Sequence, residues 1–484
     1  MTPGSTIVRG AFYSGAGMVV MLAGGMVTLK FITNAPSLNE SAVGAFAMLT
    51  ILSEFLVIFN NLGLRSSLPK LVAGAAPAQR AQIVAASLGY QALLSCVAGG
   101  ALLAVWAWAP LDRLVPGNAA WLYMLPFLGI VPALMLASSM REVLLAVLAG
   151  RHAYGRRVVG LTLYSAVQVA LVAGLVWFAR GGLMALLAAS LAAHAVAAAA
   201  LFLMMPERVR PGLAWPPYRD AIRFGWPLYV NNLFGFVFQR VDTLFIGALL
   251  GPAAAGLFEM GAKRIPYYIS SILNAALVPF LPSLSERIAA DDRAGALRLL
   301  AQTYSTSAFL SYLAAFAVLA LQAPLIRLLF SGLYLAGGAA LGLMMVAAAL
   351  ALQAGIMGQA LIALGRPHII TAVNIGLAGF SLLFNALLIP RYGVLGAGYA
   401  AVLAAAFSFA LQTCYARARG LPLPLWAVLG PHVAMTLSLA CAFALGGQAP
   451  AWLLAGTGFV TLAFLFRIVT WRQLRAVYAV LGSR

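Results

Sequence analysis

Charge is what this chain of 484 residues lacks. Only 8% of them are Asp, Glu, Lys or Arg, against roughly 25% in a soluble domain, and that shortage excludes an ordinary globular fold in water. Acids are the scarcer sign, with 11 Asp and Glu against 30 Lys and Arg, and three of those 30 are Lys. Cysteine is nearly missing too: Cys96, Cys414 and Cys441 sit isolated in apolar stretches, so neither a disulfide framework nor a metal-binding spacing is predicted. The four histidines are far apart in sequence, which gives no metal site and no catalytic cluster. No lysine stands in a G-x-x-x-x-G-K-[ST] frame, so no nucleotide phosphate loop is predicted. No loop is long enough to hold a soluble catalytic domain, and the chain is not expected to be an enzyme.

What the chain has instead is apolar length, with 63% hydrophobic residues and a mean hydropathy of +0.97. A helix crossing the hydrocarbon core needs ~20 apolar residues. Fourteen runs qualify: 10–33, 42–64, 83–108, 118–140, 157–178, 183–205, 225–250, 254–281, 302–323, 335–362, 369–390, 394–415, 425–446 and 450–470. The expectation is an all-α polytopic membrane protein. The first run lacks a small-residue cleavage site and is read as a span, not a removed signal peptide. Arg141 and Glu142 interrupt the apolar stretch after the fourth run and are read as a structural pair at a helix end.

The formal net charge of +19 follows topology. With the N-terminus cytoplasmic, 22 basic residues fall in inner loops and tails, Arg141 among them, and four (Arg113, Arg180, Arg327 and Arg391) in outer loops. The positive-inside rule then puts both termini in the cytoplasm and removes nucleic acid as a partner. The two longest loops, 207–225 and 282–301, are both inner. The first ends in YRDAIRF, a candidate interfacial helix.

A long repeat runs through the sequence. Gly44, Phe46 and Met48 recur 212 residues later as Gly256, Phe258 and Met260. Pro69 in SSLPKL is echoed by Pro282 in PFLPSL, Gly150-Arg151 by Gly365-Arg366, and Arg180 with Gly182 by Arg391 with Gly393. The offsets map spans 1–6 onto spans 7–12. Six is even, so the halves run parallel about a pseudo-twofold axis along the membrane normal. The division predicted is an N-terminal lobe at 1–206, a cytoplasmic inter-lobe linker at 207–224, a C-terminal lobe at 225–415, and two appended C-terminal helices with a cytoplasmic tail at 416–484.

Phe224-Gly225-Trp226-Pro227-Leu228 opens span 7, and Asp242-Thr243-Leu244-Phe245-Ile246-Gly247 follows, with Gly251 and Gly256 after it. Leu364-Gly365-Arg366-Pro367 precedes span 11, and Asn385, Pro390, Gly393, Gly396, Ala397 and Gly398 surround the next turn. In these motifs, and over almost its whole length, the chain resembles the polysaccharide-exporter branch of the multidrug/oligosaccharidyl-lipid/polysaccharide exporter (MOP) superfamily. The resemblance implies a MATE-like fold of two six-helix lobes working by alternating access. It implies a secondary transporter that flips undecaprenyl-diphosphate-linked oligosaccharide, an O-antigen or exopolysaccharide repeat unit, from the cytoplasmic to the outer leaflet of a bacterial inner membrane. The implied partners are that substrate, membrane lipid and polysaccharide assembly proteins. No cofactor is implied beyond a coupling H⁺ or Na⁺. Three alternatives stay open: a multidrug/cation exporter of the same superfamily, a lipid II flippase, and a membrane-embedded glycosyl or acyl transferase.

A charge at mid-bilayer costs about 2.5–3.5 kcal/mol on insertion scales, so each one inside a span is a site candidate. Seven qualify: Lys30, Glu54, Arg240, Asp242, Glu259, Lys263 and Arg264. Arg264 and Arg240, then Lys263 and Lys30, are the candidates for an anionic head group in a water-filled cleft, Arg first because its planar fork binds phosphate bidentately. Asp242, Glu259 and Glu54 are candidates for ion coupling or gating. A packing reading stands beside these. Glu259 and Lys263 are spaced i,i+4 for a pair on one helix face, and Lys30 and Asp242, at the repeat offset, for a pair between lobes. Pro266 is the hinge candidate. Asn231, Asn232 and Asn274 are candidate sugar contacts, drawn from a pool with Asn60, Asn61, Gln239, Asn374 and Asn385, in which most amides are expected to bond neighbouring helices. His194, in an Ala-rich stretch, is read as a packing residue.

Overall fold

The computed structural model describes residues 3–108, 123–205 and 209–471, and side chains from Tyr13 onward within these except Ser14. The expected start of span 4 at 118, the first two linker residues, Arg113, Arg208 and the tail from Arg472 lie outside the described residues, and Arg9 lies outside the described side chains.

The described chain is built from helices. Its first half holds α1 (Pro3–Asn34), α2 (Glu40–Asn61), α3 (Leu64–Gly74), α4 (Pro77–Trp108), α5 (Leu125–Gly150), α6 (Tyr154–Phe178), α7 (Leu183–Leu203) and α8 (Trp215–Leu250). Its second half holds α9 (Pro252–Ala289), α10 (Arg293–Ala320), α11 (Gln322–Leu329), α12 (Gly332–Ala363), α13 (Pro367–Tyr392), α14 (Val394–Ala418), α15 (Leu425–Ala444) and α16 (Ala449–Leu465). Thirteen of these are long and apolar enough to cross a membrane, and α16 is a shorter apolar helix. Each of the fourteen expected runs coincides with one of them. The chain is an all-helical, multi-pass membrane protein.

Three boundaries differ from the sequence reading. Helix α5 runs straight through Arg141 and Glu142 to Gly150, so this pair sits inside a helix and not at its end. Helix α8 begins at Trp215, so YRDAIRF forms its first turns and is no separate interfacial helix. Tyr218 there stacks on Tyr90 of α4 at 4.1 Å, a contact that favours continuing the helix. Most of the expected loop at 282–301 is helix as well, because α9 reaches Ala289 and α10 starts at Arg293. Asp292 caps α10 by accepting from the Gly295 N–H at 2.8 Å, which satisfies a donor that a helix start leaves open.

The chain forms two compact units, Met1–Gly256 with Leu329–Ser331, and Leu257–Leu328 with Gly332–Arg484. This partition differs from the repeat-based lobes, since α8, the seventh span, packs with the first unit. There α8 lies against α2, α3 and α4. The approach is close enough that a Cβ on Gly63 would stand 2.4 Å from the Gly225 carbonyl oxygen, and one on Gly225 would stand 2.7 Å from that of Gly63. Gly63 also turns the chain from α2 into α3 with a φ of 89°, a conformation that suits a residue without a Cβ. The core of this unit gathers Leu64, Leu68, Val143, Val147, Leu201 and Ala221.

In the second unit α12 packs along α14, and α15 and α16 pack on each other and on α10. Buried Tyr304 and Tyr312 of α10 reach His432 of α15 with their hydroxyls, 2.9 Å from Nε2 and 2.6 Å from Nδ1. The Tyr304 hydroxyl also donates toward Gln353 Oε1 of α12 at 3.1 Å. A polar tie therefore fastens the last two helices where water is scarce.

Candidate functional site

The in-span charges divide between the two units. In the second unit α9 changes winding: residues Pro252–Phe258 are α-helical, Glu259–Lys263 form a π turn, and α-helix resumes at Arg264. The Arg264 N–H bonds back to the Glu259 carbonyl. A π turn puts residues five apart on one face, and Arg264 Nη2 lies 3.0 Å from Glu259 Oε1. The Glu259 side chain is only 1% exposed. The i,i+4 spacing predicts Glu259 with Lys263; the wider turn also brings Arg264 to Glu259. Lys263 Nζ stands 5.8 Å from the centre of the Phe258 ring. Pro266 is buried in the first turn after the π segment, where a missing N–H is best tolerated.

In the first unit Arg240 of α8 pairs with Glu54 of α2 at 3.3 Å. This contact joins two candidates that the repeat assigns to different lobes. Asp242 is buried and its Oδ1 accepts from the Thr243 N–H at 2.7 Å. Lys30 Nζ donates to the Phe330 carbonyl at 2.7 Å, and Asn34 Nδ2 donates to the same oxygen at 2.6 Å. The amides sort as helix–helix contacts in several cases. Gln91 Nε2 donates to Asn60 Oδ1 at 2.8 Å, and Asn61 Nδ2 donates to Gln91 Oε1 at 3.2 Å. Asn232 donates to Ser66 Oγ at 3.1 Å and Asn274 to the carbonyl of Ser270 at 2.8 Å, both exposed. Asn231 is half-buried on α8 beside Asn232.

One charged cluster lies outside the sequence-based set. Glu142 of α5 accepts from Arg141 Nη2 at 2.7 Å and lies 3.5 Å from Arg65 Nε of α3. The Arg141 guanidinium stacks over the Tyr164 ring of α6 at 4.3 Å, a cation–π contact. The His194 ring of α7 stands edge-on to the same tyrosine at 4.7 Å. His194 packs as expected, but its Nδ1 is buried with no hydrogen-bond partner. The signal that points here is an adjacent Arg-Glu inside a longer apolar stretch, which the span reading cuts in two.

Together these features define a class: a multi-pass membrane protein whose spans carry paired charges. No curated protein matches the chain. Its fold is similar to that of a multidrug-resistance MATE transporter of the MOP superfamily in an inward-facing conformation, with TM-score 0.65 and 14% identity over 83% of this chain and 98% of that one. It is similar to the lipid II flippase MurJ in an inward closed conformation, with TM-score 0.67 and 10% identity over 96% and 99%. A MOP superfamily transporter from Pyrococcus furiosus gives TM-score 0.55 and 16% identity over 87% and 97%. The chain belongs to the family described as polysaccharide biosynthesis protein, whose model matches residues 38–336. The chain thus joins a polysaccharide biosynthesis family to a fold that it shares with transporters of the MOP superfamily.

Proposed function

We propose that the chain flips a polyprenyl-diphosphate-linked oligosaccharide, a repeat unit of O-antigen or exopolysaccharide, from the cytoplasmic to the outer leaflet of a bacterial inner membrane. The observation that carries this reading is the match to a polysaccharide biosynthesis family across residues 38–336 on an exporter fold. The chemistry of the spans agrees with it. The head group is a concentrated anion that hydrocarbon rejects, and Arg240, Arg264, Lys263 and Lys30 supply cationic contacts along the way. Glu54 and Glu259 hold Arg240 and Arg264 until the anion arrives, and with Asp242 they are the groups to couple movement to H⁺ or Na⁺. Asn231, Asn232 and Asn274 offer amides to sugar hydroxyls. Pro266, directly after the π turn, is the proposed hinge. Membrane lipid takes the polyprenyl tail, and polysaccharide assembly proteins receive the product. On this reading both termini face the cytoplasm, as the 22-to-four asymmetry of basic residues in the sequence supports.

The test is reconstitution in vesicles with a fluorescent lipid-linked oligosaccharide in the inner leaflet. Protein-dependent appearance of the glycan outside, lost when both H⁺ and Na⁺ gradients are collapsed, is expected; no movement under any gradient overturns the reading. The likeness to the lipid II flippase over 96% of the chain favours lipid II as the second cargo to test, and preferential movement of lipid II would reassign the substrate.

A further inference from the structure

We propose that Arg141, Arg65 and Arg157 form a diphosphate-binding site in the first unit, occupied in this state by the carboxylate of Glu142 as an internal stand-in. The site deepens the transport reading and rests on it. It differs from the in-span residues already assigned.

The charges are out of balance. One carboxylate serves three guanidinium groups, at 2.7 Å from Arg141 and 3.5 Å from Arg65, with Arg157 of α6 in electrostatic reach. Glu142 engages a single nitrogen of Arg141, whose side chain is 11% exposed. The Nε and Nη1 of Arg141 and the Nε of Arg157 are buried without a hydrogen-bond partner. Buried donors are almost always satisfied in folded proteins, and exceptions call for an explanation. Here the unused donors are those that make forked contacts to phosphate. A carboxylate has two oxygens and one charge; a diphosphate presents more of both and matches three arginines better. Stacking on Tyr164 fixes the plane of the Arg141 guanidinium, so its orientation is set before a ligand arrives.

A second observation points to the source of the diphosphate. A groove of about 150 Å³ between α1 and α6 has Arg157 among its lining residues. Met18, Met21, Val158 and Leu161 give it an apolar wall, beside Tyr13 and Tyr154. Methionine adapts to irregular apolar chains, and an anion-binding arginine in such a lining suits a lipid-linked phosphate better than a free one. In operation the incoming head group displaces Glu142 from the arginines, and the return of Glu142 releases it.

The experiment uses the purified full-length protein in nanodiscs, with undecaprenyl diphosphate and inorganic pyrophosphate as probes, and oligosaccharide flipping in vesicles as a parallel readout. Arg141→Lys keeps the charge but loses the fork, and is expected to weaken undecaprenyl diphosphate binding about tenfold. Its thermal midpoint should stay within a few degrees of the wild type. Glu142→Gln is expected to tighten binding several-fold and to slow flipping, an opposite pair of changes that a merely structural residue does not produce. Pyrophosphate should compete, more weakly than the lipid, and lose competition in Arg141→Lys. Undecaprenyl diphosphate binding unchanged in both variants, with flipping intact, overturns the site and leaves the flippase reading standing. Variant-sensitive binding without any flipping by the wild type supports the site and removes the flippase reading.

Discussion

Glu259 and Arg264 meet at 3.0 Å across a π turn, with the carboxylate 1% exposed. Removing Arg264 takes a guanidinium partner away from this buried carboxylate, and breaking a buried pair is costly. Arg264→Ala is expected to destabilise the protein by about 3 kcal/mol, while the Glu259→Gln, Arg264→Gln double variant recovers most of that loss. Thermal unfolding in detergent checks both. A double variant no more stable than Arg264→Ala argues against the pair as the source of the cost.

Glu54 and Arg240 make the contrasting case, since the Glu54 side chain is 51% exposed. Glu54→Gln should cost less than about 1 kcal/mol of stability. Under the proposed function it should nevertheless slow vesicle flipping at least fivefold, because the loss falls on the path and not on the fold. Wild-type rates for this variant would remove Glu54 from the mechanism.

Gly44 and Gly256, equivalent by the 212-residue offset, back onto each other. A Cβ on Gly44 would stand 1.7 Å from the Pro252 carbonyl oxygen, and one on Gly256 would stand 2.9 Å from the Gly44 nitrogen. Alanine at either position is expected to cost about 1–3 kcal/mol through overpacking. At Gly25 an added Cβ would meet nothing within 4 Å, so alanine there should bring a gain of up to about 1 kcal/mol in helix propensity. The comparison of the three unfolding midpoints is the check.

Tyr312→Phe removes the hydroxyl 2.6 Å from His432. The expected loss is about 1–2 kcal/mol, because His432 keeps one buried nitrogen without its partner. Limited proteolysis should show earlier cleavage in the segment joining α14 to α15. Unchanged midpoint and cleavage would show that the tie contributes little.

The spans are legible because hydropathy summed over twenty residues is insensitive to detail, and each run survives an error of several residues at its ends. Glu142 is misplaced for the same reason. A window reads Arg141-Glu142 as an interruption, while the partners that make it part of a helix, Arg65 and Tyr164, lie far away in sequence. The π turn is equally hidden. Five-residue pairing of Glu259 with Arg264 depends on one extra residue in a turn, and the composition of EMGAK carries no sign of it. Arg240 with Glu54 is a third case: a contact between α8 and α2 in one unit is invisible to a repeat that assigns them to separate halves. Motif glycines fare better, since Gly225 and Gly256 mark places where two backbones touch.

The bond between His432 and the α10 tyrosines means that residues 425–465 are no detachable ornament. A trimmed version ending after α14 would take His432 from both phenolic hydroxyls and leave Tyr304 with Gln353, in surroundings that offer no solvent in exchange. Tyr304 and Tyr312 are therefore expected to vary together with this terminal pair among relatives.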